Sequence, residues 1–318
     1  MHNHRVWLLF LLFIFPGHFA VKAQTPAAAV RYYRDGTSKV QKGDFDGAIA
    51  ALTKAIEISS RLATARRVSS SSWNSNGGGE IAFEADRITV TDPLTANAYS
   101  NRGYARYNKG DLDGAIADCD EALRIRPGLA AAYLNRGAAR RAKGDWNGAL
   151  ADFDRALSID RQLAEAYTNR GGIKLDMGDL DGALADLDRA ITLNPRLAAA
   201  YYLRGCARHD KDDTFGAISD LDRAIELEPK MAWAWEERGT VRMDQREFER
   251  AMVDFNKALE LDPNLAPAYT NRGLVLLLQG KDADAQRDFD RFLFLRPDMR
   301  ADLESRIELA RRVKTKVR

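Results

Sequence analysis

A 34-residue period runs along this chain and restricts its fold more than any single motif does. Aromatic residues recur at this spacing, at Tyr99, Tyr133, Tyr167, Tyr201, Trp235 and Tyr269. Glycines and alanines follow the same grid, at Gly103, Gly137, Gly171, Gly205, Gly239 and Gly273 and at Ala115, Ala149, Ala183, Ala217, Ala251 and Ala285. A fixed period of about 20–50 residues is typical of stacked repeat architectures. We therefore expect an array of similar units, in which each unit contacts its neighbours.

Each period predicts two helices joined by a short turn. In the copy at 96–129, small and apolar residues recur three or four positions apart in two segments, as one face of a helix requires. Gly110 and Asp111 divide the segments, because glycine accepts the left-handed conformation that ends a helix, and Asp111 or Asp113 can cap the next one. Proline then stops the second helix at Pro127, Pro195, Pro229, Pro263 and Pro297, with Arg161 at this position in one copy.

This pattern resembles the tetratricopeptide repeat, whose 34-residue unit reads aromatic-x2-Leu-Gly-x2-Tyr, followed by Ala-x3-Phe, Ala and Pro. The matching residues in one copy are Tyr99, Arg102, Gly103, Arg106, Ala115, Cys119, Ala122 and Pro127. The resemblance covers residues 29–299. It implies an all-α fold, a tetratricopeptide-repeat solenoid in which helix-turn-helix repeats form a right-handed superhelix with a C-terminal capping helix.

The grid divides the chain into consecutive segments. We predict repeats at 29–62, 96–129, 130–163, 164–197, 198–231, 232–265 and 266–299, followed by a C-terminal capping helix and basic tail at 300–318. The segment 63–95 is either a degenerate repeat or a flexible insert. In the first interpretation, Ser69–Ser72 interrupt its first helix and Ile81–Thr91 form its second. In the terminal helix, Leu303, Ile307 and Ala310 share the apolar face that a cap needs.

Residues 1–23 have the pattern of a secretory signal peptide. Arg5 precedes an apolar run at 6–15, and Val21 and Ala23 supply the small residues of a cleavage site before Gln24. The run is shorter than the about 18 apolar residues of a membrane helix, and an uncleaved signal anchor is the alternative. We therefore expect an exported protein, periplasmic or secreted, without a membrane span in the mature chain. The chain has no Asn-x-Ser/Thr sequon, which favours a bacterial origin.

The charge balance argues against partners that bind through bulk electrostatics. The chain has 48 Lys and Arg against 46 Asp and Glu. Removal of residues 1–23 takes away Arg5 and Lys22, so the mature chain has a net charge of about zero. We therefore expect no nucleic-acid partner.

Two charged columns depart from the family pattern. Arginine replaces the usual leucine at Arg102, Arg136, Arg170, Arg204, Arg238 and Arg272, and a cation replaces the usual tyrosine at Arg106, Arg140, Lys174, Arg208 and Arg242. The second helices carry a matching column at Asp118, Asp152, Asp186, Asp220, Asp254 and Asp288. We interpret the columns as a ladder of Arg–Asp pairs between the two helices. The alternative is a basic stripe for an acidic ligand, which requires the aspartates to face elsewhere.

Few residues of the mature chain suit catalysis or metal binding. Asp-x-Asp-Gly at 44–47, 111–114 and 179–182 is similar to the start of a calcium loop, but the loop glutamate is missing and helix capping explains these acids better. Cys206 and His209 supply two ligands, whereas a structural zinc needs four. Cys119 and Cys206 belong to distant repeats, so we expect no disulfide. We predict no catalytic residue, cofactor or metal site.

Function is therefore expected at the surface. In the tetratricopeptide repeat family, the first helices line a concave groove that binds peptides or proteins. The resemblance implies these groove residues here: Tyr104, Tyr107, Asn108, Leu134, Arg141, Thr168, Leu175, Asp176, Tyr202, His209, Trp233, Glu236 and Met243. We predict a non-catalytic protein–protein interaction scaffold of the cell envelope or secreted space that binds a protein or peptide partner. The alternatives are a self-associating envelope assembly protein and an enzyme with carboxylate or His209 chemistry.

Overall fold

The computed structural model describes residues 26–73 and 93–317, and every regular element in these ranges is helical. The helices form two compact units, one within Met1–Pro127 and the other within Gly128–Arg318. The first unit contains α1 (Pro26–Gln41), α2 (Phe45–Trp73), α3 (Pro93–Asn108) and α4 (Leu112–Ile125). The second contains α5 (Ala130–Ala142), α6 (Trp146–Ile159), α7 (Ala164–Asp176), α8 (Leu180–Leu193), α9 (Ala198–Asp210), α10 (Thr214–Leu227), α11 (Ala232–Asp244), α12 (Phe248–Leu261), α13 (Ala266–Leu278), α14 (Asp282–Leu295), a 3-10 turn (Pro297–Met299) and α15 (Arg300–Val317).

Consecutive helices pack as hairpins, α1 with α2, α3 with α4, and so on to α13 with α14. Each hairpin then packs on the next within its unit, so that the helix pairs stack as a solenoid. The predicted all-α fold of stacked helix pairs is confirmed. In each pair, the helix that comes first along the chain is called the first helix below, and its partner the second helix.

The turn inside each pair follows the glycine–aspartate signal. Most copies place glycine in the left-handed region with φ of 74–82°, at Gly43, Gly110, Gly144, Gly178 and Gly280. An aspartate follows this turn residue in five copies, and its carboxylate accepts from a backbone N–H at 2.9–3.0 Å, at Asp44, Asp111, Asp145, Asp179 and Asp213. The predicted N-caps are therefore confirmed. Lys281 follows Gly280 and makes no such cap. Asp212 and Arg246 adopt the same left-handed turn without glycine, with φ of 60° and 61°.

The repeated glycines let the two helices of a pair come close together. A Cβ on Gly137 would lie only 2.7 Å from Cε1 of Phe153, whose ring is fully buried. Cys119 occupies the position of Phe153 in its own pair and is also fully buried, as predicted for a small apolar residue. Core packing at this position therefore uses a glycine on one helix and a side chain of variable size on the other.

The first unit differs from the prediction near the end of α2. This helix continues through Ser69–Ser72 to Trp73, so the serines do not interrupt it. Serine has an intermediate helix propensity, and no glycine or proline lies between Ala48 and Trp73 to end the helix. The predicted signal peptide at 1–23 and the predicted helix at Ile81–Thr91 fall outside the described residues. Those two features, and the degenerate-repeat interpretation of 63–95, stay predictions.

In the second unit, the first helices of successive pairs contact one another, α5 with α7, α7 with α9, α9 with α11 and α11 with α13. The second helices of the same pairs make no comparable contacts along 128–317. The stack is therefore tighter on the side of the first helices. We call this side, formed by α5, α7, α9, α11 and α13, the inner face.

The C-terminal helix α15 packs on α13 and covers the last pair. Leu303 is almost fully buried, and Ile307 and Ala310 pack against the cluster that contains Leu277 and Phe292. The predicted apolar face of the terminal helix is therefore confirmed. None of the helices described is both long and apolar enough to cross a membrane.

Candidate functional site

The arginine and aspartate columns form a ladder of bidentate ion pairs inside the helix pairs. In six pairs, Nε and Nη2 of the arginine donate to both carboxylate oxygens of the aspartate sixteen residues later, over 2.6–3.1 Å. In five of these pairs, the second cation of the first helix binds the same aspartate at 2.7–3.0 Å. The last pair has the buried Leu276 at this second position. The predicted ladder is confirmed.

The same arginines also connect neighbouring pairs. Nη1 of Arg170 donates to Asp154 on the preceding second helix at 2.5 Å, and Arg204 binds Asp188 in the same way at 2.6 Å. The guanidinium groups also lie over the aromatic rings three residues earlier, 4.7–5.6 Å from the ring centres. Their side chains are only 12–22 % exposed. The alternative of a basic stripe for an acidic ligand is therefore wrong.

Three predicted groove residues lie in the first unit, on α3. Tyr104 is 39 % exposed and meets the ring of Phe45 edge to face, with ring centres 6.4 Å apart. Tyr107 is half-buried and Asn108 is exposed. The amide of Asn108 donates to the backbone oxygen of Tyr104 at 2.8 Å. Tyr104 is thus the large apolar side chain that α3 presents to solvent.

The other predicted groove residues lie on the first helices of the second unit, and they differ in exposure. Trp233 is 48 % exposed and Asp176 is also exposed. Six are half-buried, namely Leu134, Arg141, Leu175, Tyr202, His209 and Met243. Thr168 and Glu236 are buried, so these two do not present their polar groups to a partner. The half-buried apolar members pack against the core of the stack, as Leu134 does against Phe153 of its own pair and Ile173 of the next.

His209 connects α9 to α11 through two carboxylates. Its Nδ1 lies 2.8 Å from Oε1 of Glu237, and its Nε2 lies 3.1 Å from Oδ2 of Asp244. Hydrogen bonds to Asp244 and Glu237 raise the pKa of His209 from 6.5 to about 10. The imidazole is therefore protonated at neutral pH, and it acts as a cationic bridge between two first helices.

Glu236, the sequence neighbour of Glu237, lies in a buried polar network. Its Oε1 accepts from the amide of Asn271 at 2.8 Å and from the hydroxyl of Thr240 at 3.2 Å. Asn271 in turn accepts from Nη2 of Arg306, on α15, at 2.8 Å. Burial and the neighbouring Glu237 raise the pKa of Glu236 from 4.5 to about 7. This network links α11, α13 and the terminal helix.

Cys206 is half-buried on α9 beside Tyr202. Cys119 and Cys206 are not joined in a disulfide. Burial raises the pKa of the Cys206 thiol, and burial together with the neighbouring Cys206 raises the pKa of the Tyr202 hydroxyl. Within the described residues, no three His, Cys, Asp or Glu side chains are arranged to hold a metal ion. Cys206 therefore contributes a small, protonated side chain to the inner face.

An open cleft of about 760 Å³ lies on the opposite side, between α10 and α12. The exposed ring of Phe215 and several arginines line it. These arginines have partners, since Arg223 binds Glu226 at 2.9 Å and Arg250 binds Glu247 at 3.1 Å. The charges of this outer cleft are therefore balanced by the protein itself.

Comparison with protein families agrees with this architecture. Models described as tetratricopeptide repeats match residues 27–61, 96–129 and 198–231, and a model described as a TPR repeat matches 137–178, 171–212 and 239–280. Together these matches cover more than half of the chain. The chain belongs to the tetratricopeptide repeat family.

Solved structures show the same fold at low sequence identity. A tetratricopeptide repeat protein from Parabacteroides merdae is 19 % identical with a TM-score of 0.57, and the match covers 89 % of this chain and 99 % of that one. Pseudomonas aeruginosa pilF is 18 % identical with a TM-score of 0.56, over 64 % and 92 % of the two chains. Cut9 with Hcn1, described as an APC/C hetero-tetramer, is 17 % identical with a TM-score of 0.63, over 90 % and 54 %. No curated protein matches this tetratricopeptide repeat protein.

Sequence reasoning missed several residues of the inner face. Glu237, Asn271 and Arg306 bind predicted groove residues or each other, and none of them is among the groove residues predicted from the sequence. The repeat grid contains a signal for two of them, because Glu237 and Asn271 occupy the same position of neighbouring repeats, one residue after Glu236 and Thr270. Arg306 lies beyond the last repeat, so no such alignment points to it.

Proposed function

We propose that this tetratricopeptide repeat protein is a non-catalytic interaction scaffold that binds a peptide or partner protein on the inner face of its second unit. The observation that carries the proposal is the exposed indole of Trp233, which lies on the same first helix as the half-buried Met243. The half-buried Tyr202 lies on the neighbouring first helix. Aromatic side chains bury much area for few rotatable bonds, and they are therefore common anchors of protein interfaces.

The chemistry of His209 favours a binding role over an enzymatic one. A general base must be neutral near the working pH, but the pKa of His209 is about 10 because Asp244 and Glu237 hold its protonated form. Its two nitrogens are also occupied by these carboxylates. The imidazole is therefore suited to holding two helices together.

We further propose that the protein is exported and works in the bacterial cell envelope or outside the cell. The sequence pattern of residues 1–23 supports this proposal. N-terminal sequencing of the protein purified from fractionated native cells tests it. We expect a mature chain that begins at Gln24, and a cytoplasmic protein that retains Met1 would contradict the proposal.

Affinity capture from the native envelope tests the binding role. Wild type is compared with Trp233→Ala and Tyr202→Ala, and Phe215→Ala serves as the matched control because its ring is 87 % exposed on a second helix. We expect at least one captured protein to be lost with the first two variants and retained with the control. Equal recovery of every protein with all variants would overturn the proposal.

Light scattering over a concentration series separates partner binding from self-association, in which mass rises with concentration in the absence of any partner.

A further inference from the structure

The chain already contains one helix docked on its inner face. The groove-facing residues Leu274 and Leu277 of α13 are buried under α15, which contributes Leu303 and Ile307. These two residues of α15 are four apart and share one helix face. The inner face of the last pair therefore receives an amphipathic helix.

A basic residue takes part in this docking. Arg306 lies between Leu303 and Ile307 in the sequence, and its guanidinium donates to Asn271, which donates to the buried carboxylate of Glu236. Asn271 also donates to Thr240 at 2.9 Å. The docked helix thus combines apolar residues at helical spacing with a cation that meets a polar network of the neighbouring first helix.

The adjoining first helices α9 and α11 also combine apolar and polar side chains. Among the residues that the structure describes, no helix docks on them as α15 docks on α13. Their apolar part consists of the exposed Trp233 and the half-buried Met243 on α11 and the half-buried Tyr202 on α9. An exposed indole also attracts a cation through its ring face. The surface is large enough to receive side chains of a partner helix that are spaced three or four residues apart, because it spans two neighbouring helices about 8–10 Å apart.

Negative charge exceeds positive charge on this surface. Three carboxylates, Asp210, Glu237 and Asp244, lie around the cation His209, which is bound to the last two. Asp210 is exposed at the end of α9. Partial burial and the neighbouring Glu237 raise the pKa of Asp210, which agrees with an excess of carboxylates. Complementary charge favours a basic partner.

We infer that the inner face of α9 and α11 binds an amphipathic helix of a partner protein that carries Lys or Arg between apolar residues spaced three or four apart. The helix docks there in the manner in which α15 docks on α13, with its cations close to Trp233 and to the carboxylates of α9 and α11. This inference rests on the proposed function and adds the chemistry of the partner. Helices with spaced apolar anchors are a common mode of recognition in grooves.

Selection of binders from a displayed library of random 18-residue peptides on the full chain tests the inference. Groove binders are defined as peptides that bind wild type but lose at least tenfold in affinity with Trp233→Ala. We expect them to be enriched in Lys and Arg and to carry apolar residues at helical spacing without internal proline. Circular dichroism of the bound peptides is expected to show helix.

Charge variants provide the second part of the test. Asp210→Asn with Asp244→Asn removes two carboxylates from α9 and α11, while Glu237 keeps its contact with His209. Glu226→Gln with Glu260→Gln is the matched control, since both side chains are exposed on second helices. We expect the selected peptides to bind at least tenfold more weakly to the first variant, with a smaller salt dependence, and within twofold of wild type to the control.

The outcomes separate the inference from the proposed function. Groove binders that are neutral, acidic or non-helical overturn the inference and leave a binding role for the inner face. The same conclusion follows if the two double variants weaken binding equally. A selection that yields no peptide dependent on Trp233 overturns both the inference and the proposed function. Thermal unfolding of each variant checks that a loss of binding does not reflect a loss of fold.

Discussion

Glu236 shows how one buried residue can make stability depend on pH. Its pKa is about 7 in the folded chain and near 4.5 when the chain is unfolded, because burial disfavours the carboxylate. Between these values, the folded state holds a proton that the unfolded state has released. The free energy of unfolding therefore falls as pH rises from about 4.5 to 7, and the loss is complete above pH 7.

Glu236→Gln is expected to remove this loss. The amide oxygen can still accept from Asn271, but it cannot ionise. We expect the variant to be more stable than wild type by about 1–3 kcal/mol above pH 7, and the difference to disappear below about pH 4.5. Urea unfolding across pH 4–9 measures both effects. A variant that is less stable than wild type at pH 8 would contradict the prediction.

Substitution by alanine should have opposite effects on stability at two glycines of the first helices. A Cβ at Gly239 would lie 2.7 Å from the buried ring of Phe255, whereas a Cβ at Gly172 would meet the end of the Arg141 side chain at 3.0 Å. A buried ring cannot move aside, but a guanidinium at the end of a flexible chain can. We expect Gly239→Ala to destabilise the protein by about 1–3 kcal/mol. Gly172→Ala should be neutral or stabilise by up to about 1 kcal/mol, because alanine favours helix. Chemical denaturation compares them, and equal destabilisation would refute the explanation.

At the scale of the helix pair, the Arg–Asp ladder should be strongly coupled. Asp186 is buried and is bound by Arg170 at 2.6 Å and by Lys174 at 2.8 Å. Removing Arg170 leaves the buried Asp186 with Lys174 as its remaining partner, and removing Asp186 leaves Arg170 with Asp154. Breaking a buried pair from one side costs up to about 3–5 kcal/mol, whereas removing both members costs less. We expect Arg170→Met and Asp186→Leu together to cost at least about 1 kcal/mol less than the sum of the single variants.

The exposed pair Arg223–Glu226 is the control for this cycle, because its side chains are 44 % and 65 % exposed at a distance of 2.9 Å. Its coupling should stay below about 0.5 kcal/mol. Urea unfolding of the single and double variants measures the coupling energy in both cycles. Urea is used because guanidinium chloride is a salt and would screen the charges. If the two cycles give the same coupling energy, the ladder is no stronger than a surface pair.

The parts of the fold that could be predicted from the sequence are those that recur in every helix pair. A fixed offset of sixteen residues places Arg170 opposite Asp186, and the same offset recurs in each copy, so the pattern itself indicates the contact. The contacts of the inner face were not predictable in this way. The contacts of His209 with Asp244 and of Arg306 with Asn271 each depend on one residue that does not recur, His209 or Arg306, and on side-chain directions across different pairs. The end of α2 was also missed, because serine alone does not determine where a helix stops.

At the scale of the second unit, the stacked pairs should unfold from their ends. Each pair contacts mainly its neighbours, so stability is expected to be the sum of pair and interface contributions. The terminal helix contributes through the almost fully buried Leu303 and through Arg306. Its loss would expose Leu274, Leu277 and Phe292 and release the network around Glu236.

Ending the chain at Arg296 is therefore expected to weaken the last pairs selectively. Hydrogen exchange of the backbone amides should become at least tenfold faster in α13 and α14, while α5 to α8 keep their protection, because they lie several interfaces away. Leu303→Ala should show a smaller effect of the same pattern, with a destabilisation of about 2–4 kcal/mol. Leu309→Ala should change nothing, since this side chain of α15 is 64 % exposed. Equal acceleration in α5 to α14 after truncation would show that the unit unfolds as one cooperative body, and the nearest-neighbour description would then be wrong for this protein.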